Sequence, residues 1–287
     1  MSRKPIFLAI ITVAIVSMAC SFTINLPETR LRTGDTVTDN INVQLFDDPE
    51  KTAELEIIFG AGELKLVPGA ENSLVLGTAT YNVSDFKPEI TRSDNKVQVK
   101  QGQTEGFSTL NPGVRNEWDL ALGKSPMNLS ITAGAYRGEI DLGGLSLLEL
   151  IVKEGASDTE WDFSSPNLVE MKTFIYSTGA SSAKLMNLAN ANFERMEFKG
   201  GVGSYKLDLS GELRKNIIVE VDAGLSNLVI AVPRDVPTQV TVEGSLTNIN
   251  TSGDWQRAEN AYVLTGNGHT ITMEIKMGAG NLELVHP

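Results

Sequence analysis

Cysteine is nearly absent from the chain: Cys20 is the only one in 287 residues. Disulfides within the chain are therefore excluded, and so are Cys/His zinc sites, since only His269 and His286 could join Cys20. A Ser-His-Asp arrangement would depend on the same two histidines. His269 lies in the turn sequence Asn267-Gly268-His269, and His286 is next to the last residue. Basic residues are also scarce, with 24 Lys and Arg against 36 Asp and Glu and a net charge of −12. That balance argues against nucleic acid and anionic lipid as direct partners, because both need clustered positive charge. It is compatible with cation binding or with simple solubility. Helical periodicity is hard to find after Cys20, and no apolar run reaches the ~20 residues that span a bilayer.

The one strongly apolar run is at the start. Arg3 and Lys4 precede the apolar stretch Ile6 to Val16, and Ser17-Met18-Ala19-Cys20 follows at once. Charge, grease and small residues in that order form an export signal. With the sole thiol at the cleavage point, residues 1–19 are expected to be removed and Cys20 to be acylated, as in a bacterial lipoprotein. Ala19 and Cys20 fit a lipobox, whereas Ser17 stands where such boxes usually carry Leu. Loss of Arg3 and Lys4 would take the net charge from −12 to −14.

Beyond the signal, apolar residues alternate with polar ones and 26 glycines punctuate them, the pattern of short strands and turns. A template recurs, with apolar residues five and three before a glycine and four and six after it. Leu55, Ile57, Gly60, Leu64 and Leu66 fit it. So do Leu150, Val152, Gly155, Thr159 and Trp161, if the threonine is allowed an interior strand position, then Phe174, Tyr176, Gly179, Ala183 and Leu185. Met196, Phe198, Gly201, Tyr205 and Leu207 follow, then Val219, Val221, Gly224, Leu228 and Ile230. Met273, Ile275, Gly278, Leu282 and Leu284 close the series. Leu129, Ile131, Gly134 and Ile140 match with Gly138 at the small position, and Val240, Val242 and Ile249 form a degenerate copy whose Gly244 has slipped by one.

Residues two apart on a strand share a face, so each unit sends two pairs of side chains into one core. The glycine supplies either a positive φ or room for close backbone approach at a bend. One unit cannot bury its apolar face alone, so units must stack. The expected fold is all-β: a single-chain, β-solenoid-like stack of glycine-bent strand pairs with a period of about 22 residues. Trp161, Tyr176, Phe198 and Tyr205 fall at inward positions, which leaves Trp118 and Trp255 free to line a surface groove. Residues 20–52 are expected to be the lipidated N-terminus, a tether and one early strand. An N-terminal module spans 53–105, a linker or loop 106–117 (its loop-like composition runs from 101 to 116) and a larger repeat module 118–287.

The run from Glu54 through Phe59, Gly60, Ala61 and Gly62 to Leu64 resembles the opening of the bacterial N-terminal toast-rack domain. Tyr81-Asn82-Val83 and Lys87-Pro88-Glu89-Ile90 extend the resemblance over about residues 52 to 100. The repeats from 118 onward are similar to the adhesin-like, LiaF-C-terminal type of β-repeat domain of envelope-stress proteins. The resemblance implies a stack of short strands in the cell envelope, and it carries over no catalytic residue.

Chemistry-bearing patterns are few. Gly60-Ala61-Gly62 and Gly278-Ala279-Gly280 have the look of phosphate loops, but no helix follows either one to bind an anion. At outward positions, stacking in register would place Glu139 beside Glu160 and Asp141 beside Asp162, with Lys184 and Lys206 nearby. Four carboxylates in one patch could form an oxygen-ligand Ca²⁺ site or a glycosidase acid pair, and a solvated charged face is the plainer reading. The leading expectation is a non-enzymatic, lipid-anchored, extracytoplasmic protein without cofactor. It presents a rigid β-surface to envelope proteins or to itself, for interaction, adhesion or self-assembly. A β-helix carbohydrate-active enzyme and an envelope-stress sensor are the alternatives.

Overall fold

The computed structural model describes residues 32–48, 51–102, 113–244, 246–259 and 261–287. Cys20, the signal segment and residues 103–112 of the expected linker lie outside them. The described residues form sixteen strands, beginning with β1 (Val37–Gln44), β2 (Ala53–Pro68), β3 (Ser73–Tyr81), β4 (Pro88–Ser93), β5 (Lys96–Gln101) and β6 (Asn116–Leu122). The central series is β7 (Met127–Asp141), β8 (Leu147–Asp162), β9 (Met171–Met186), β10 (Phe193–Asp208) and β11 (Ile217–Ala231). The chain ends with β12 (Thr238–Glu243), β13 (Leu246–Thr251), β14 (Gln256–Ala258), β15 (Ala261–Leu264) and β16 (Ile271–Val285).

Each unit with its glycine in place is one continuous strand of 15 or 16 residues, where the sequence suggests a pair. The pairing order β2-β7-β8-β9-β10-β11-β16 is parallel throughout. Residues 142–146 alone connect β7 to β8. Fully extended, β8 would measure ~50 Å, whereas those five residues can bridge only ~20 Å. Parallel neighbours so joined are possible only if each strand folds back on itself. Ring contacts across the bend confirm the fold-back, with Phe198 and Tyr205 of β10 packing edge to face at 5.1 Å. Each strand therefore has a first arm and a second arm around a shared core.

The core follows the template. Leu150, Val152, Thr159 and Trp161 are buried, as are their counterparts in every other unit, with Val242 and Ile249 partly so. The degenerate copy is real: Val240 pairs with Met273, Val242 with Ile275 and Ile249 with Leu282, and the break at Gly244 splits that unit into β12 and β13.

None of the central glycines, Gly60, Gly134, Gly155, Gly179, Gly201, Gly224 or Gly278, has a left-handed φ, and from Gly155 to Gly278 close backbone approach is what requires them. A β-carbon on Gly155 would lie 2.8 Å from the carbonyl oxygen of Gly134, and one on Gly179 2.6 Å from that of Gly155. The glycines form a column of backbone-on-backbone contact along the stack. Its N-terminal end is closed by a side chain, since Gln101 Oε1 accepts from the Gly60 and Ala61 N–H groups at 2.7 and 3.3 Å.

Beyond β2 the two arms continue with different partners. The first-arm sheet adds β5 and then β4; the second-arm sheet adds β6, β3 and β1. At the other end the first-arm sheet adds β12, β15 and β14, and the second-arm sheet adds β13 alone. The loop-like stretch 101–116 has strand residues at both ends: Gln101 closes β5, and Asn116 opens β6 and donates to Gln101 at 2.9 Å. Residues 53–102 and 113–287 share one uninterrupted sheet through the pairing of β2 with β7.

Candidate functional site

Parity places the residue just before each central glycine on the inward side, and in β8 that residue is Glu154. It is only 8% exposed, inside the bend. Its Oε1 accepts from the Tyr136 hydroxyl at 2.5 Å and its Oε2 from the Ser157 hydroxyl at 2.6 Å. Burial first, and the Glu154 charge second, push the Tyr136 and Tyr176 hydroxyls well above the ordinary range. Both carboxylate oxygens are engaged from within, so Glu154 acts as an acceptor that ties β7 to β8. The template marks only the apolar positions and so passes over it; the shared parity with Leu150 and Val152 is the signal that finds it.

On the outside, the register brings the acidic residues together as expected. Glu139 pairs with Glu160 and Asp141 with Asp162, while Glu160 neighbours Lys184 and Lys184 neighbours Lys206. Their carboxylates do not converge, however. Lys184 Nζ lies 3.5 Å from Glu160. Asp141 accepts from the Gly143 N–H at 2.8 Å and the Ser164 hydroxyl at 2.7 Å, and Asp162 from Asn187 at 2.7 Å. Asp141 caps the turn that leaves its own strand, and Asp162 holds the Asn187 side chain at the end of β9. Asp208, like Asp141, caps the turn after its strand, at 3.0 Å from the Ser210 N–H. Among the described residues, no three His, Cys, Asp or Glu side chains are placed to hold a metal ion. Arg137 continues the charge pattern one row away, between Glu63 at 3.6 Å and Asp158 at 4.0 Å.

Trp118 and Trp255 do not line a groove. Trp118 is 1% exposed because β6 seats it beside Leu64 on the inward face, 5.4 Å from Phe59. Trp255 is 9% exposed and stacks on His286 at 6.4 Å, closing the C-terminal end of the core. His286 Nδ1 lies 2.8 Å from the Val232 carbonyl, and His269 is exposed in its turn. Gly60-Ala61-Gly62 and Gly278-Ala279-Gly280 lie within β2 and β16, at the bends. The expected lipidation site, Cys20, is outside the described residues.

Stacked bent strands with a closed interior and charge-patterned outer rows define a β-repeat scaffold. The chain matches the family described as the N-terminal domain of toast_rack, DUF2154, over residues 32–175, and it belongs to that family. The match is wider than the stretch of about 52 to 100 that carries the resemblance in sequence. No curated protein matches the chain. Among solved structures, a candidate cell adhesion protein from Clostridium sporogenes aligns with a TM-score of 0.54 at 18% identity, covering 88% of this chain and all of that one. A candidate adhesin from Bacteroides fragilis aligns with a TM-score of 0.37 at 8% identity, covering 87% of this chain and 97% of that one. The Clostridium sporogenes alignment shows a shared fold. No described helix is long and apolar enough to cross a membrane.

Proposed function

We propose that the protein is a membrane-anchored bacterial envelope lipoprotein that presents its β-stack for interaction, by adhesion or self-assembly, and performs no reaction. The observation that carries this reading is the uninterrupted sheet, whose polar side chains at the bend and at the turns are taken up internally. Glu154, Asp141 and Asp162 are each engaged by neighbouring donors, and outward charges meet opposite ones along the stack, Arg137 between Glu63 and Asp158 and Lys184 beside Glu160. The Clostridium sporogenes structure, described as that of a candidate cell adhesion protein, supports the same class. With residues 1–19 removed, Cys20 carries the acyl chains, each stabilising attachment by ~0.8 kcal/mol per buried methylene. The chain from Cys20 to the start of β1 at Val37 can reach at most ~60 Å, which lets the stack stand clear of the bilayer. Incorporation of labelled palmitate tests the anchor: the natural chain should be labelled and Cys20→Ser should not. Equal labelling of both refutes it.

A further inference from the structure

The two ends of the second-arm sheet carry the same short sequence. β1 contains Asn40-Ile41-Asn42 and β13 contains Asn248-Ile249-Asn250. In both, the isoleucine faces the core and the asparagines face outward: Ile41 is fully buried, Ile249 packs against the core edge, and the four asparagines are exposed. β1 is antiparallel to β3, β3 is antiparallel to β6, and β6 is parallel to β2, so β1 and β13 run in the same direction. Among the described residues, β1 pairs only with β3 and β13 only with β16. Among the described residues, one outer edge of each is therefore unpaired.

We propose that the chain assembles end to end with copies of itself, β13 of one copy pairing in parallel with β1 of the next. The proposal rests on reading the stack as an interaction surface, and it names the partner. Placing Asn248 opposite Asn40 seats Ile249 beside Ile41 and Asn250 beside Asn42, so both cores become continuous. A one-residue slip would turn the isoleucines outward, which makes the register specific.

An asparagine ladder already leads to that edge. Asn281 donates to Asn227 at 2.8 Å, and Asn248 donates to Asn281 at 3.4 Å. Asn40 of an incoming β1 would add the next rung, in the manner of the amide ladders that hold stacked strands together.

The edges differ in how they are protected. Proteins blunt sheet edges with charge and proline. β4 has both, with Pro88, Glu89 and Arg92, and β14 has the charge of Arg257. β13 has neither, and the one charge of β1, Asp39, is engaged by the Tyr81 hydroxyl at 2.7 Å. The ends are also stepped. β1 protrudes one strand beyond β4, and β13 is recessed two strands behind β14. The protruding end enters the recess, and full seating displaces the three-residue β14 together with Trp255, which precedes it and otherwise closes the core end. Such a contact is head to tail and does not close on itself, so it generates chains of molecules.

The test is disulfide formation in intact envelopes between two differently tagged full-length chains, one bearing Asn40→Cys and the other Asn248→Cys. Co-expression should give a mixed cross-linked species that neither substituted chain gives alone. Adding Ile249→Lys to the second chain should lower its yield roughly tenfold or more, because the joint would bury an unpaired lysine. The melting temperature of that variant reports separately that the stack still folds. No mixed species above the level of the unsubstituted chain overturns the proposal, as does a yield unaffected by Ile249→Lys in a folded protein. A chain that fails this test yet cross-links to other envelope proteins overturns self-assembly alone and leaves the function proposed above standing.

Discussion

The carbonyl oxygen of Gly201 lies 2.6 Å from the point at which Gly224 would carry a β-carbon. Real side chains do not approach backbone so closely, and strands paired on both sides leave the neighbour nowhere to retreat. Gly224→Ala should therefore destabilise the protein by about 1–3 kcal/mol, the usual penalty for overpacking. Gly34→Ala serves as the control, since its nearest neighbour would be 3.9 Å away and its cost should stay within about 0.5 kcal/mol. Urea denaturation of both variants checks the contrast, and equal costs would remove the glycine column from the account.

The Tyr136 hydroxyl and Ser157 share the donation to buried Glu154. Tyr136→Phe keeps the ring and removes one donor from a buried carboxylate, which should cost about 1–3 kcal/mol. Adding Glu154→Leu to that variant removes the stranded acceptor and should recover part of the loss. Chemical denaturation of the single and double variants measures the coupling, and strictly additive losses would show that the pair does not interact.

Tyrosine ionisation should unfold the protein at alkaline pH. Burial holds the Tyr136 and Tyr176 hydroxyls well above the ordinary value of 10.0. Tyr81 is pushed up to about 12 by burial and then by its hydrogen bond to Asp39. In the unfolded chain these groups lose their protons near 10, while the folded chain keeps them. Their contribution is thus complete below pH 10 and is lost as the pH rises past it. Tyrosinate absorbance should appear together with loss of the β-sheet circular dichroism signal. Ionisation of all three tyrosines in a protein that stays folded would contradict the burial.

Gln101 occupies the place that a next strand's backbone would fill at the first bend. Its Oε1 satisfies the Gly60 and Ala61 N–H groups and the Asn116 amide. Gln101→Leu has a similar size and leaves those donors unmet, so it should cost about 1–3 kcal/mol. Hydrogen exchange should quicken first at Gly60 and Ala61, and unchanged exchange there would contradict the capping role.

Much of this architecture is legible in sequence because the repeat is built from alternation, and alternation is local. Leu150 and Val152, or Leu282 and Leu284, declare their face by spacing alone, and the glycine marks the bend. Even the register that sets Glu139 beside Glu160 follows from equal spacing. What the spacing leaves hidden depends on distant pairing. Trp118 is buried by the match of β6 to β2 at Leu64, 54 positions earlier, in a segment without a template glycine. Asp141 is drawn out of the acidic patch by Ser164 on the next turn. Glu154 breaks the apolar rule at an inward position, and the hydroxyls of Tyr136 and Ser157 make that tolerable. Trp255 is covered by His286 at the far end of the chain. The twin Asn-Ile-Asn segments gain meaning only when β1 and β13 are seen to run the same way at opposite ends of one sheet.

The central claim, that the stack exists to be engaged by other molecules, is tested most directly by chemical cross-linking in intact envelopes followed by sizing of the full-length chain. The account predicts cross-linked species larger than one chain, containing a second copy or another envelope protein, that survive detergent extraction. Recovery of the monomer alone, from envelopes in which the chain is folded and membrane-bound, would contradict it.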